Sequence, residues 1–352
     1  MPLSIRCRAV LRGRFLPSHH VYGPIAVFRL GPHRPTDKDD HVSVDRTDRK
    51  KTLPTHSAGV RPLLLEAAGL TLSGLVAEPE GTPRATVVAV HGGGMRAGYF
   101  DGQAHPDLSL LMLGARLGFT VLALDRPGYG RSAAQVPAGL TLGEQAVVLP
   151  AALDAFAERY ETGRGFLMLA HSYGGKLALT TAARSPGLLL ALDVSGLGHR
   201  YAVEPADLPR IRHHVHWERT WGPLGLYPPG TFRAAQALVA PMPSREGAEV
   251  TLWPGMFDEL APRVGVPLRL TFAEHEAWWL HGRAHIADLT ARLERAPLVR
   301  VERQAGAGHN ISLGRAARPY HLRALAFFEE CLESAGEADA PEMCVGPAVT
   351  AP

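Results

Sequence analysis

Ser172 lies between an apolar run and two glycines in "LMLAHSYGGKLAL" (residues 167–179). This pattern fits a nucleophile elbow, a sharp turn from a strand into a helix that exposes the serine Oγ. Such a turn needs small residues two positions before and after the serine, because the backbone approaches itself closely there. Ala170 and Gly174 meet that need, although the usual motif G-x-S-x-G begins with glycine. The alternative is an N-cap serine at the start of an ordinary helix.

A second glycine-rich stretch, "HGGG", begins at His91 and directly follows another apolar run. The backbone N–H groups of Gly92 and Gly93 could face an empty space and hold the oxyanion of a tetrahedral intermediate. The N–H group of Tyr173, just after the serine, would be the other donor. The alternative is a plain glycine-rich turn. A dinucleotide site is disfavoured, because the pattern G-x-G-x-x-G is absent.

A general base and its acid partner are predicted at two later strand ends. The sequence has 17 histidines, and His309 in "GAGHN" is selected because it follows the last predicted core strand among small residues. A carboxylate that accepts a hydrogen bond from an imidazole fixes its tautomer. In "LTFAEHEAWW", Glu276 is preferred over Glu274 because it lies further past the strand end. Asp193, on the preceding strand, is the fallback.

Strands and helices alternate from residue 59 onward, and the predicted strands are continuous apolar runs. This pattern predicts the α/β class, with a mostly parallel central sheet that helices cover on both faces. Such sheets place their functional sites at the carboxyl ends of the strands, where the candidate residues occur. Residues 199–262 break the alternation and are rich in proline and aromatic residues, which favours a lid inserted between two core strands.

The predicted organisation therefore has a core in two parts, with a lid between them and an extension at each end. Residues 1–58 hold 11 Lys and Arg against 5 Asp and Glu, whereas the remainder has 26 basic and 29 acidic residues. We interpret the first segment as a disordered basic extension, with a transit peptide as the alternative. The predicted segments are 1–58, 59–198, 199–262, 263–336 and a disordered tail at 337–352.

Composition argues against several classes of partner. Beyond residue 58 there is no basic field of the kind that marks a nucleic-acid-binding domain. No apolar stretch approaches the ~20 residues of a transmembrane helix, so we expect no stable membrane insertion. Cys7, Cys331 and Cys344 are too few and too far apart for a disulfide framework or a metal cluster, which favours a reducing, cytoplasmic location. We expect no cofactor and no metal, and we interpret the histidines of "HHVHW" (213–217) as lid-surface residues.

The chain from about residue 60 to 335 resembles the α/β-hydrolase superfamily, on the segments "VAVHGGG", "LALDRPGYGRS", "LAHSYGGKLAL" and "GAGHN". The order Ser172, Glu276, His309 matches the family's order of nucleophile, acid and histidine. "FAEHE" is similar to the family's G-x-x-D segment, with glutamate for the more usual aspartate. The resemblance implies the hydrolase fold and gives Asp125 a structural role. Because epoxide hydrolases and haloalkane dehalogenases of the family use aspartate as nucleophile, the serine implies acyl chemistry.

The expected substrate is a small hydrophobic ester, thioester or lactone, as for a carboxylesterase or thioesterase. Four tryptophans suggest an apolar pocket, with packing inside the lid as the alternative for some of them: Trp217, Trp221, Trp278 and Trp279. Two other functions stay open. The same triad could transfer an acyl group or cleave a carbon–carbon bond, or the fold could bind a ligand without turnover. The sequence does not indicate the oligomeric state of the protein.

Overall fold

The apolar runs of the sequence form an eight-stranded sheet in the computed structural model, which describes residues 56–208 and 217–338. β1 and β2 form an antiparallel hairpin, β2 pairs antiparallel with β4, and the remaining neighbours are parallel. The order across the sheet is β1-β2-β4-β3-β5-β6-β7-β8. The strands are β1 Arg61–Ala67, β2 Leu70–Ala77, β3 Thr86–Val90, β4 Thr120–Leu124, β5 Phe166–His171, β6 Leu189–Ser195, β7 Leu268–His275 and β8 Val299–Gly308.

Helices cover both faces of this sheet. On one face α1 and α9 pack over a core that contains Val87, Val121 and Phe328. The opposite face packs against α2, α3, α7 and α8. The predicted mostly parallel sheet flanked by helices is therefore confirmed. The helices are α1 Leu110–Arg116, α2 Leu142–Ala157, α3 Tyr173–Arg184, α4 Trp217–Trp221, α5 Thr231–Ala235, α6 Ser244–Glu249, α7 Trp253–Leu260, α8 Arg283–Ala291 and α9 Ala317–Ala338.

Local signals set the helix starts that matter for the site. Thr141 and Glu144 form a capping box at the start of α2, each side chain bonding the other residue's backbone N–H. α3 begins directly after Ser172, so the strand-to-helix turn contains a single residue. α9 continues to Ala338, so it includes the first two residues of the predicted tail.

The segment between β6 and β7 contains α4 to α7, in place of a single crossover helix. Part of it belongs to the core, since Trp253 of α7 is fully buried and its indole N–H donates to the Gly198 carbonyl at 2.8 Å. The role of residues 199–262 as a lid stays a prediction. The histidines of "HHVHW", Cys7, Cys344, nearly all of the N-terminal extension and the tail beyond residue 338 lie outside the described residues. Across 56–208 and 217–338, each helix is too short or too polar to cross a bilayer.

Candidate active site

The turn at Ser172 has the strained backbone of a nucleophile elbow. Ser172 adopts φ 52° and ψ −115°, in the left-handed half of the backbone map that non-glycine residues rarely enter. A Cβ atom on Gly174 would lie 2.3 Å from the carbonyl oxygen of Val90, so only glycine fits there. Ala170 is fully buried at the end of β5, paired with Val90 in β3. The methyl group is therefore accommodated where the usual motif has glycine.

Ser172, His309 and Glu276 form one hydrogen-bonded chain. His309 Nε2 lies 3.1 Å from Ser172 Oγ, and His309 Nδ1 lies 2.8 Å from Glu276 Oε2. The other carboxylate oxygen, Oε1, accepts the backbone N–H of Trp278 at 3.0 Å. The Glu276 side chain is completely buried and that of His309 is 7% exposed. A carboxylate at Nδ1 holds the proton on that nitrogen and leaves Nε2 free to accept the serine proton.

The two other candidate acids have different partners. Glu274 is 40% exposed and accepts the backbone N–H of Gly306 at 2.8 Å. Asp193 is buried in β6, where it pairs with Arg269 and accepts the Tyr320 hydroxyl at 2.7 Å. Of the three carboxylates considered from the sequence, Glu276 is the one within hydrogen-bond distance of His309.

The glycine-rich loop after β3 lies against the serine. A Cβ atom on Gly92 would come within 3.1 Å of Ser172 Cβ, and one on Gly93 within 2.4 Å of Met242 Cε. Gly92, Gly93 and Tyr173 line the same pocket as Ser172. In the part of the chain that the structure describes, the N–H groups of Gly93 and Tyr173 have no hydrogen-bond partner. The role of Gly92, Gly93 and Tyr173 as donors to an oxyanion stays a prediction.

A buried ion pair holds this loop from behind. Arg126, just after β4, donates from Nε to the His91 carbonyl at 2.9 Å and from Nη2 to the Gly92 carbonyl at 3.2 Å. Its guanidinium also pairs with Glu246 of α6, and both side chains are almost fully buried. Tyr129 donates to the same carboxylate at 2.8 Å and accepts the N–H of Gly94 at 3.0 Å. The network therefore joins the segment before β7 to the loop beside the serine.

We expect Glu246→Gln to lower the free energy of unfolding by about 3 kcal/mol, because it leaves the buried Arg126 without its carboxylate. Urea denaturation measures this change. The matched control is Arg245→Gln in the same helix, where the ion pair with Glu144 is about half exposed and should contribute less than about 1 kcal/mol. Equal losses for the two variants would contradict the structural role of the buried pair.

His171, the residue before the nucleophile, is a buried neighbour of the site. Its ring stacks on Tyr99 at 4.8 Å and lies 4.8 Å from the ring of His309, measured between centroids. Its Nδ1 is 3.1 Å from Ser195 Oγ. Burial, and the positive charge that His309 carries when protonated, lower the pKa of His171 well below its usual value. A neutral His171 therefore packs beside the imidazole of His309.

The pocket in front of Ser172 has a volume of about 160 Å³ and a mostly apolar lining. Trp278 and Trp279 line it, and their part in substrate binding stays a prediction. The expectation for Trp217 and Trp221 is corrected, because these side chains are not among the lining residues. They pack instead in an aromatic cluster with Tyr227 and Phe232, at centroid distances of 5.1–6.2 Å.

Several residues of the site were missed in the sequence. Lys176 lines the pocket and lies inside the elbow motif, so a lysine in a helix of small and apolar residues was the available signal. Glu246 had no such signal, because its partner Arg126 is 120 residues away.

Asp125 has the expected structural role: it accepts the Ala97 N–H at 2.8 Å and the Ser73 hydroxyl at 2.7 Å. In residues 56–208 and 217–338, no three His, Cys, Asp or Glu side chains are placed to hold a metal.

Comparison with known proteins identifies the family of this chain. A human (Homo sapiens) monoglyceride lipase is 30% identical over 129 residues, which cover 36% of this chain and only 39% of the lipase. A thermostable carboxyl esterase from Bacillus coagulans, solved in complex with glycerol, has a TM-score of 0.59 at 16% identity, covering 78% of this chain and 100% of the esterase. A carboxylesterase from Bacillus subtilis has a TM-score of 0.57 at 18% identity, covering 78% and 93%. These two structures share the fold.

The family model described as the alpha/beta hydrolase family matches residues 87–320. That range contains the glycine-rich loop, the elbow, Glu276 and His309. Since the match extends over more than half of the 352 residues, this protein belongs to the alpha/beta hydrolase family.

Proposed function

We propose that this protein is a serine hydrolase that cleaves carboxylic esters with a small apolar acyl group through an acyl-enzyme intermediate. The observation that carries the proposal is the chain of hydrogen bonds from Glu276 through His309 to Ser172, with both outer partners within 3.1 Å of the imidazole. A side chain that only caps a helix has no need of a buried imidazole–carboxylate pair.

The chemistry follows from the positions of these groups. His309 Nε2 takes the Oγ proton of Ser172 as the oxygen attacks the ester carbonyl. The N–H groups of Gly93 and Tyr173 stabilise the oxyanion that forms. His309 then gives its proton to the departing alcohol. Water, deprotonated by the same imidazole, attacks the acyl-enzyme and releases the acid.

The pocket limits the size of the acyl group. A cavity of about 150 Å³ accepts a molecule of the size of benzene, and the pocket here is of similar volume. An acyl chain of about six carbons fits that space. Its lining by Trp278, Trp279 and Val250 favours an apolar chain. The similarity to a monoglyceride lipase, although partial, also supports ester substrates. Thioesters and lactones would react through the same steps.

Acyl transfer or carbon–carbon bond cleavage is the second candidate, because the same three residues can perform either reaction. Adding small alcohols to the ester assay separates transfer from hydrolysis. A transferase would form the new ester in preference to the free acid. A ligand-binding protein without turnover is a third candidate, and the complete hydrogen-bonded chain argues against it.

We expect a fluorophosphonate probe to label the folded protein at Ser172 and to abolish hydrolysis of p-nitrophenyl butyrate in proportion, because the elbow exposes a nucleophilic oxygen. Peptide mapping by mass spectrometry identifies the modified serine. Heat-denatured protein is the control and should stay unlabelled. Folded protein that stays unlabelled, or that is labelled at another serine, would contradict the proposal.

A further inference from the structure

Lys176 is a buried cation beside the candidate nucleophile. It lies on α3 four residues after Ser172, or about 6 Å along the helix axis. The residue is only 3% exposed, yet it belongs to the lining of the pocket that contains Ser172. The proposed ester hydrolysis uses Ser172, His309 and Glu276 and gives this lysine no role. A strongly polar group in a mostly apolar lining therefore needs its own explanation.

The ammonium lies among aromatic rings. Its Nζ donates a hydrogen bond to the Tyr201 hydroxyl at 2.8 Å, and that hydroxyl in turn donates to the Val250 carbonyl at 2.7 Å. Four ring centroids lie 5.3–5.7 Å from Nζ, a distance at which the faces of the rings attract a cation. These rings belong to Tyr173, Tyr201, Trp253 and Trp279, of which Trp253 alone is absent from the pocket lining.

Lys176 differs from Arg126 and Arg269, the two other buried Lys or Arg side chains that the structure describes. Arg126 is paired with Glu246, and Arg269 is paired with Asp193. No carboxylate in the described part of the chain lies within ion-pair distance of Lys176. The protonated amine has three N–H donors, and one of them bonds to an oxygen, the Tyr201 hydroxyl. Burial lowers the pKa of this lysine to about 7. The remaining N–H donors are thus available to a ligand in the pocket.

We propose that Lys176 binds an uncharged oxygen of the substrate, a keto, hydroxyl or second ester group, at a position remote from the scissile carbonyl. The inference rests on the proposed ester hydrolysis and adds a requirement on the acyl chain. A hydrogen bond from the N–H groups of Lys176 in a site with little water discriminates strongly between an acyl chain that carries the oxygen and one that lacks it.

The charges around the lysine favour an uncharged acceptor over a carboxylate. Two carboxylates, Glu246 and Glu249, act electrostatically on Lys176, and Arg126 offsets one of them. A substrate carboxylate would add a further negative charge to this group, at a high desolvation cost. A neutral oxygen accepts the same N–H donors without changing the charge of the site.

The test compares p-nitrophenyl esters of three six-carbon acids, hexanoate, 4-oxohexanoate and 5-oxohexanoate, with the glutarate half ester, in which a carboxylate oxygen replaces the terminal methyl group of 5-oxohexanoate. The measured quantity is the ratio of kcat/KM for each oxygenated ester to that for hexanoate. For one of the oxo esters we expect Lys176→Met to lower this ratio by about tenfold or more relative to the unmodified protein. The ratio cancels any general loss of active protein, and its comparison between the variant and the unmodified protein cancels the intrinsic reactivity of each ester.

Lys176→Gln keeps an N–H donor and should recover part of the ratio, so it serves as the second variant if the methionine variant folds poorly. Oxo-to-hexanoate ratios that are equal in all three proteins would overturn the inference and leave ester hydrolysis in place. A preference for the glutarate half ester that disappears in Lys176→Met would overturn it in favour of an anionic substrate. If the unmodified protein hydrolyses none of the esters, the proposed function itself fails.

Discussion

We expect Ser172→Ala to reduce kcat for ester hydrolysis by about 10⁵-fold, because the proposed mechanism passes through a covalent bond to the Oγ atom. His309 Nε2, 3.1 Å from that atom, would then have no nucleophile to deprotonate. Alanine keeps the Cβ atom, so the strain at φ 52° remains and the fold should be unchanged. Initial rates with p-nitrophenyl butyrate and a thermal unfolding curve measure the two quantities.

The matched control is Ser185→Ala at the other end of α3, where the serine is the C-cap and has no part in the pocket. This variant should keep the rate of the unmodified protein within about twofold. The double variant Ser172→Ala with His309→Ala should be no slower than Ser172→Ala alone, since the two residues act as one unit. Multiplicative losses in the double variant would show that they act in separate steps, against the mechanism proposed here.

The features that could be predicted best from the sequence are those that depend on where the strands end. A buried apolar run ends where the chain leaves the sheet, and parallel strands bring their carboxyl ends to one edge. Ser172, Glu276 and His309 each follow such a run, so their proximity could be inferred although 137 residues separate the first from the last. Glu276 was preferred over Glu274 because it lies two residues further along the chain, past the end of the predicted strand. Their catalytic roles stay predictions.

Features that depend on how irregular segments pack could not be predicted in the same way. An aromatic residue in a helix of five residues can face the pocket or its own neighbours, and composition does not distinguish the two. Trp217 and Trp221 face their own cluster, whereas Trp278 and Trp279 are anchored beside the acid. The pairing of Arg126 with Glu246 likewise joins distant segments without any periodic pattern. Such contacts are determined by tertiary packing alone.

We expect Glu276→Gln to reduce kcat/KM for ester hydrolysis by about 10⁴-fold, through the wrong tautomer of His309. One carboxylate oxygen accepts the N–H of Trp278 at 3.0 Å and the other accepts from His309 Nδ1 at 2.8 Å. An amide offers one acceptor in place of these two. If its oxygen stays on Trp278, its NH₂ group faces Nδ1, and the imidazole proton must move to Nε2. That nitrogen can then no longer accept the proton of Ser172.

The opposite orientation of the amide is also unfavourable, because its NH₂ group would meet the Trp278 N–H in a fully buried position. Either way the substitution removes the function of the acid without removing its volume. The loss of rate should therefore come with a folded protein, which circular dichroism and thermal unfolding can verify. A Gln variant that retains more than about a tenth of the rate would show that Glu276 does not orient the imidazole.

Two further substitutions make the assignment of the acid specific. Glu274→Gln should change the rate by less than about twofold, because that exposed side chain bonds only a backbone N–H and an exposed arginine. Asp193→Asn should instead lower the free energy of unfolding by about 2 kcal/mol, since Arg269 loses its fully buried carboxylate and keeps only the partly exposed Glu302. Its rate per folded molecule should stay near that of the unmodified protein. If either substitution costs as much rate as Glu276→Gln, the acid is wrongly assigned, and the hydrogen bond to His309 Nδ1 is structural.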